Sequence, residues 1–384
     1  MARGQMPDEV LALETGGETV RLRYVSEPPE LYLLATDPDA RWPADVLRTG
    51  RATIRWGEVR AEGSARLVID REVRERILVR FRAAAGPDRA DRWYGRAGAM
   101  IAVRVGSKGD SGLQFDRWIR DEFDSSAAGY AGRLERNPVE WLWRRRSVEI
   151  LERTFPRPGR LLEIGSGPGF ETIPMLRMGH RVVAIDVSRG MLEQLEANAR
   201  GAEVQGSLET RQRSGHDLGQ LVDELGARSF DGAYSTFGAL NLEPDLGPVV
   251  AGLARLVRLG GLVVAGAFNR RAILEPAVAI ASGHAARLAG RRRSPAPVGS
   301  HRFSTDVYLR SVTELQRAFR PEFGLQRVDG VGMVLPPPNV ADRLDRLGVR
   351  WDRLDEWDRR IGRNRTFAGL SDHFFATFER SATD

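Results

Sequence analysis

Hydrophobic and polar positions alternate with period two through the first hundred residues of the chain. The runs 10–14, 20–25, 31–35, 52–56, 65–69 and 99–105 each read as a half-buried antiparallel strand. One stretch, 71–85, breaks the alternation. Its Val73, Ile77, Leu78 and Phe81 fall at i, i+4, i+5 and i+8, which makes an apolar stripe along one face of a helix. The spacing predicts a small β-barrel with one or two helices over residues 1–105.

Residues 106–113, Gly-Ser-Lys-Gly-Asp-Ser-Gly-Leu, have linker composition. Asn137-Pro138 then opens a helix, with Asn as N-cap and Pro at the first helical position. Beyond it the period changes. Near-continuous apolar runs at 160–164, 181–185 and 262–266 alternate with helical segments, which predicts a mostly parallel sheet covered on both faces. Residues 270–300 are rich in alanine and arginine and read as an inserted helix and loop, a lid insertion within a domain spanning 114–384.

The chemistry concentrates where the strand 161–164 runs into Gly165-Ser166-Gly167-Pro168-Gly169. A glycine-rich turn between strand and helix lets a ligand approach the backbone and aims helix N-terminal amides at it. The spacing Glu-x-Gly-x-Gly-x-Gly differs from the dinucleotide fingerprint Gly-x-Gly-x-x-Gly. Asp186 ends the next strand, 17 residues past Gly169. A carboxylate there can accept both hydroxyls of a ribose lying across the strand tips. An acid at the loop suits a cationic ligand better than a pyrophosphate.

These residues resemble the class I S-adenosylmethionine (SAM)-dependent methyltransferases. Leu162-Glu163-Ile164-Gly165-Ser166-Gly167-Pro168-Gly169 matches the family's first motif, and Ala184-Ile185-Asp186-Val187-Ser188 with Met191-Leu192 its second strand and helix. The run from Phe230-Asp231 to Leu240-Asn241 looks like the fourth-strand motif. Leu256-Val257-Arg258-Leu259-Gly260-Gly261 looks like the turn into the fifth strand, with leucine at 259 where the family commonly has proline. The resemblance spans residues 114–384 and implies a Rossmann-like, mostly parallel seven-stranded sheet. It implies that Glu163 holds the amino or ribose side of SAM, that Gly165, Ser166, Gly167 and Gly169 form the loop, and that Asp186 takes the ribose. Val187 and Met191 lie on the adenine side, Asp217 meets the adenine amine, and Ser235 and Phe237 sit near the methyl group. Candidate bases for an acceptor that loses a proton are His301, His373, Tyr130 and Tyr308, Tyr130 lying in a segment like the family's N-terminal cap. No His/Asp/Glu spacing calls for a metal.

The first hundred residues resemble the split-barrel flavin or deazaflavin-binding proteins of the nitroreductase type. The matching stretches are 11–16, 32–36, 46–54, the helix from Asp70, and Trp93-Tyr94. The resemblance implies FMN or an F420-type deazaflavin as ligand. The loops that would hold its phosphates carry acids here, Glu18, Asp37 and Asp39, which is electrostatically unfavourable. The expectation is a retained fold that serves dimerisation or substrate capture.

Composition narrows the function classes. The chain has 384 residues and no cysteine, so disulfides, thiolate nucleophiles and cysteine-ligated metals are excluded. Net charge is +6, but all basic residues except Lys108 are arginine, spread along the chain. That reads as base composition of the genome, and no nucleic-acid partner is expected. No run of eighteen apolar residues exists, and no apolar stretch follows the N-terminus, so the expectation is a cytoplasmic protein without a membrane span. The reading is methyl transfer to O, N or C of a small molecule. Its rivals are a flavin- or deazaflavin-linked reductase fused to a methyltransferase, and a SAM-binding regulatory protein without turnover.

Overall fold

The computed structural model describes residues 10–85 apart from 16–17, 28–29, 38–39 and 57–58, then 98–105 and positions 120, 123, 124, 127, 130 and 132. It further describes 136–281 apart from 244, and 296–298 and 305–381. Two compact units result: Met1–Glu122 with Pro297–Asp306, and Phe123–Ala296 with Val307–Asp384. The linker expected at 106–113 and the Trp93-Tyr94 pair lie outside the described residues.

The first unit holds six strands, β1 (Val10–Thr15), β2 (Glu18–Glu27), β3 (Glu30–Leu34), β4 (Arg51–Trp56), β5 (Val59–Leu67) and β6 (Met100–Val105). They close into a barrel in the order β1-β2-β3-β6-β5-β4, every pairing antiparallel. Closure leaves no unpaired strand edge. Inward positions such as Leu11, Leu13, Leu33, Ile54 and Ile101 are buried, as the period-two pattern requires. Helix α2 (Arg71–Ala85) turns its stripe inward: Ile77 and Phe81 pack with Val25, Tyr32, Leu34 and Met100, and Val73 and Leu78 flank them. Each such burial is worth about 1.5–3 kcal/mol.

Two details depart from the sequence reading. β5 ends at Leu67, which leaves Ile69 outside the strand and 53% exposed. Helix α1 (Trp42–Thr49) was not assigned in advance, although its signals are local: Pro43 in the first turn and Gly50 at φ 62° just past the end.

The second unit opens with α3 (Pro138–Thr154), capped by the Asn137 side chain, which accepts from the Val139 and Glu140 amides. There follow β7 (Arg160–Ile164), α4 (Thr172–Arg177), β8 (Arg181–Asp186), α5 (Arg189–Gly201), β9 (Leu208–Gln212), α6 (Leu218–Leu225) and β10 (Phe230–Ser235). Next come α7 (Ala239–Leu242), α8 (Gly247–Leu256), β11 (Val257–Phe268) and α9 (Leu274–Ala281). Along the chain a two-stranded ribbon, β12 (Ala296–Val298) and β13 (Thr305–Val307), lying mostly in the Pro297–Asp306 segment of the first unit, precedes α10 (Val312–Phe319) and β14 (Phe323–Val331) of the second. The chain ends in α11 (Ala341–Arg346), α12 (Trp351–Gly362), α13 (Arg365–Ala368) and β15 (His373–Arg380).

The seven-stranded sheet has the order β14-β15-β11-β10-β7-β8-β9. β15 runs antiparallel between β11 and β14; the remaining pairings are parallel. Alternate residues feed two cores. Leu162, Ile164, Val183 and Ile185 pack with Leu218, Leu253 and Leu315. Leu161, Val182 and Ala184 pack with Ile150, Leu151 and Leu195 on the opposite face. The sheet is thus covered on both sides, which explains its apolar runs. Of the Leu256–Gly261 stretch, expected as a turn, Leu256 ends α8 and Val257–Gly261 begins β11, with Gly260 at φ 71°. Of the 270–300 insertion, α9 is described and 282–295 is outside the described residues.

Candidate functional site

The chain steps from β7 through β8 to β9 on one side, then returns to place β10 on the other side of β7. This is the switch point of an open parallel sheet, the place at the carboxyl ends of the strands where such sheets bind ligands. The loop after β7, the tip of β8 and the tip of β10 all meet at it.

Gly165, Gly167 and Gly169 have φ of 73°, 53° and 98°, a region costly for other residues. Their surroundings differ. A Cβ on Gly165 would meet Ala239, and one on Gly169 would meet Leu195; one on Gly167 would meet nothing within 4 Å. Two of the glycines therefore let the turn pack against its own protein, and Gly167 alone faces open space. The Gly165 and Ser166 amides donate to the Ile185 carbonyl, which fixes the loop on β8. The Ser166 hydroxyl is buried with no partner.

Asp186 accepts from the Gly167 amide at 2.8 Å through Oδ2 and from the Ser188 amide at 2.9 Å through Oδ1. Burial pushes its carboxyl above the ordinary range, against the pull of those amides, and the nearby Asp124 carboxylate adds to the rise. Asp124 itself clamps the start of α5: its Oδ1 accepts from Ser188 Oγ at 2.5 Å and from the Gly190 amide at 2.8 Å. Val187 is half-buried and Met191 buried beside this tip.

Glu163 is 2% exposed. Thr172 Oγ1 donates to its Oε2 at 2.5 Å and Tyr234 OH donates to the same oxygen at 3.1 Å. Burial raises its pKa to about 8; the Glu171 and Asp186 charges add to the rise, and the two hydroxyls oppose it. Burial likewise drives the Tyr234 phenol well up, with Glu163 beside it. A carboxyl with its pKa pushed to about 8 favours the neutral form at pH 7.

A second buried chain starts at Glu171. Arg144 NH1 donates to both its oxygens at 3.1 Å, and Ser147 Oγ donates to Oε1 at 2.6 Å. Burial works against the Arg144 charge, and the Glu171 carboxylate more than offsets it, so its pKa lies above the usual value. The guanidinium stacks over Phe237 at 4.2 Å from the ring centroid and over Phe170 at 5.4 Å. Arg144 thus joins the helix after the glycine loop to the tip of β10.

Phe237 leads to an aromatic cluster around His373, whose ring centroid lies 4.2 Å from Phe268, 4.7 Å from Trp143 and 5.2 Å from Phe237. His373 Nδ1 is 2.9 Å from Asp372 Oδ2 but not aligned for a hydrogen bond, so both ring nitrogens are buried without one. The Trp143 indole N–H and the Ser235 hydroxyl are buried and unpartnered as well. Leaving such groups unsatisfied costs about 1–3 kcal/mol each. A ligand that offers hydrogen bonds would recover it.

The other sequence candidates lie apart from one another. Asp217 begins α6, its carboxylate 34% exposed, and accepts from Gln220. A different acid, Glu243, is buried nearby and accepts from Ser214 Oγ at 3.1 Å, with His216 at 3.3 Å. Tyr308 is half-buried, its backbone clipped on both sides to Asn241. Tyr130 is half-buried and adds to the electrostatic environment of Arg144. His301 lies outside the described residues. Among the described residues no cluster of His, Cys, Asp and Glu could hold a metal ion, and no helix is long and apolar enough to cross a membrane.

Residues 162–265, which include the loop, both carboxylates and the tip of β10, match the family described as a methyltransferase domain. The chain therefore carries a methyltransferase domain over these residues. It is 27% identical over 195 residues to a ubiquinone biosynthesis O-methyltransferase of Xanthomonas axonopodis pv. citri (strain 306), covering 51% of this chain and 74% of that one. Solved structures similar to the methyltransferase include 1,6-didemethyltoxoflavin-N1-methyltransferase of Burkholderia thailandensis with bound S-adenosylhomocysteine. That likeness has TM-score 0.44 and 18% identity, over 73% of this chain and 96% of that one. Another is geranyl diphosphate C-methyltransferase of Streptomyces coelicolor A3(2), with TM-score 0.40 and 15% identity, over 61% of this chain and 75% of that one.

Proposed function

We propose that the second unit transfers the methyl group of SAM to an oxygen of a small-molecule acceptor held at the aromatic cluster. The observation that carries this reading is His373: a buried imidazole beside a carboxylate, with both nitrogens free, among aromatic rings at the sheet tips. Methyl transfer from a sulfonium needs a base only when the acceptor must lose a proton. A hydroxyl is such an acceptor. The similarity to an O-methyltransferase supports the same choice.

In this reading Glu163 pairs with the ammonium of SAM, the backbone of Ser166 and Gly167 lies along the ligand, and Asp186 accepts from the ribose hydroxyls. Val187 and Met191 line the adenine side, Asp217 meets the adenine amine, and Tyr130 covers the cofactor. Each Asp186 oxygen already accepts one amide, and its second lone pair serves the ligand. Ser235, Phe237 and Trp143 shape the acceptor side, with Tyr308 behind them. Positioning then supplies much of the acceleration, because the leaving group is already good.

The barrel serves as an accessory module for dimerisation or substrate capture. Glu18 and Asp37 are exposed at the loops where flavin phosphates would bind, which favours this over a reductase. Calorimetry with SAM, followed by transfer of labelled methyl into hydroxylated small molecules, tests the main reading. SAM binding that survives both Asp186→Ala and Gly167→Arg would sink it. A yellow protein, or one that binds added FMN, would overturn the reading of the barrel.

A further inference from the structure

Away from the sheet tips of the switch point, α3, α12 and β14 enclose a cavity of about 220 Å³. Arg146, Arg153, Arg359 and Arg363 line it, against only two carboxylates, Glu149 and Asp329. The surrounding ion pairs do not balance this excess. Glu149 serves Arg146 and Arg359, each at 2.8 Å, and Arg145 at 3.9 Å. Asp355 takes the same three guanidiniums, and Asp329 takes Arg153 at 2.7 Å and Arg327 at 2.9 Å. Three carboxylates thus serve five arginines. Arg363, the sixth, has no partner among the described residues.

Burial adds to the imbalance. Arg146 has a side chain only 7% exposed, and its Nε has no acceptor; the Nε of Arg359 is buried without one as well. Burial, with the Arg359 charge adding to it, pulls the Arg146 pKa below its usual value, against Asp355, Glu149 and the more distant Asp358. Buried cations require paired anions. The cavity is also shaped by close backbone packing: a Cβ on Gly362 would lie 2.2 Å from the Gly330 carbonyl, so α12 sits directly on β14 there. The outer groove next to it shares Glu149, Arg359 and Arg363 with the cavity and adds Arg145 and Arg360 against Asp352, Asp355 and Glu356, so the excess of arginine lies on the inner side, at Arg146 and Arg153.

The geometry points to this inner cavity as a binding site for a small phosphate-type dianion, separate from the methyl-transfer site. Two negative charges match the excess of guanidiniums. Tetrahedral oxygens offer several acceptors to arginine forks, which pair with phosphate in a bidentate way. The volume admits a phosphoryl group with a small substituent, and excludes a nucleic-acid strand. The shared chemistry comes from free phosphate or from a small phosphomonoester.

The test uses the full chain in a phosphate-free buffer, with ionic strength held constant by NaCl. Inorganic phosphate and glycerol phosphate are titrated separately, and binding is read by calorimetry and by Tm. Saturable binding of at least one of them is expected, with Arg363→Gln weakening it about tenfold or more, the usual scale for a lost charge-assisted hydrogen bond. Arg363 has no partner to lose, so this variant retains the fold; Arg153→Gln is the second probe. Arg360→Gln, confined to the outer groove, leaves affinity unchanged, as does Gly167→Arg. Tighter binding of glycerol phosphate assigns the site to phosphomonoesters; equal binding assigns it to the phosphate group alone. Shifts equal to those from NaCl, or undiminished binding by both Arg363→Gln and Arg153→Gln, overturn the proposal.

Discussion

The Gly167 amide donates to Asp186 Oδ2 at 2.8 Å, which ties the open point of the glycine loop to the tip of the neighbouring strand. The loop and the strand-tip acid Asp186 are therefore one unit, and substitutions in the loop divide by what each glycine faces. Gly169→Ala drives a Cβ to 2.4 Å from Leu195 Cδ1 and also strains φ. It is expected to cost about 2–4 kcal/mol of stability through overpacking and backbone strain together. Gly167→Ala meets no atom and costs about 1 kcal/mol from φ alone. Its effect falls on the ligand, with SAM affinity reduced about tenfold by intrusion into the space the cofactor occupies. Denaturant unfolding and SAM calorimetry on both variants separate the two losses. Equal losses of stability would refute the division.

Glu163 makes the site sensitive to pH. Its folded pKa of about 8 lies above the ordinary value of 4.5. The folded state therefore binds the proton more tightly than the unfolded chain. Stability from this group is fully present below about pH 4.5 and is lost as pH rises through about 8, at up to about 1.4 kcal/mol per pH unit. Glu163→Gln removes the titration, so its stability profile is flatter over that window, and the difference between the two profiles isolates the group. A cationic ligand favours the ionised carboxylate. SAM affinity is therefore expected to rise with pH between about 6 and 8, with about one proton released per SAM bound at pH 7. Calorimetry in buffers of different ionisation enthalpy counts that proton. A count of zero contradicts the pairing of Glu163 with the ammonium.

The Glu163–Gly169 loop and Asp186 were legible because their chemistry is compressed into short sequence spans with fixed spacing. The barrel was legible because a half-buried strand must alternate. What surrounds the loop was not. Thr172 and Tyr234 converge on one oxygen of Glu163 only because β7 and β10 pair in the register Glu163↔Tyr234. Arg144 and Trp143 lie about twenty residues before the loop on a helix whose stripe reads as ordinary packing, and Phe268 is simply the end of an apolar strand. Helix α1 was missed for another reason. Its eight residues are too few to display a helical period, although its Pro and Gly boundary signals were present. The acid after the third strand shows the limit of motif transfer. Asp217 stands where the resemblance points, yet the buried acid in that corner is Glu243.

Asp124 was also invisible in advance, because its partners are more than sixty residues away. It caps α5 from outside, where the Ser188 side chain already accepts from the Met191 amide. Asp124→Ala removes two hydrogen bonds at a helix N-terminus, a loss of about 1 kcal/mol. A fall in Tm of about 2–4 °C is expected. It also removes a charge that raises the Asp186 pKa, so the acid limb of SAM binding should move to lower pH. Asp124→Asn keeps a hydrogen-bond acceptor but not the charge, and should restore most of the Tm while leaving the limb shifted. If Tm and limb recover together, charge plays no separate part.

Substitution of His373 separates turnover from mere cofactor binding. It lies in the aromatic cluster, 1% exposed, next to Asp372, and it touches none of the groups that frame the glycine loop. His373→Gln should therefore leave the SAM dissociation constant unchanged while kcat for a hydroxyl acceptor falls about 10²–10⁴-fold, the range for loss of a general base. A base also leaves a signature in pH. The residual activity of His373→Gln should rise steadily with pH as hydroxide or the ionised acceptor takes over. Trp143→Phe keeps the ring and removes only the indole donor. It should raise KM several-fold with kcat nearly unchanged, the effect of one hydrogen bond worth about 1 kcal/mol. A purely structural His373 predicts otherwise: both variants would lose stability and SAM binding together. A kcat that His373→Gln leaves unchanged removes His373 from the chemistry, and with it the argument that the acceptor atom is a hydroxyl oxygen.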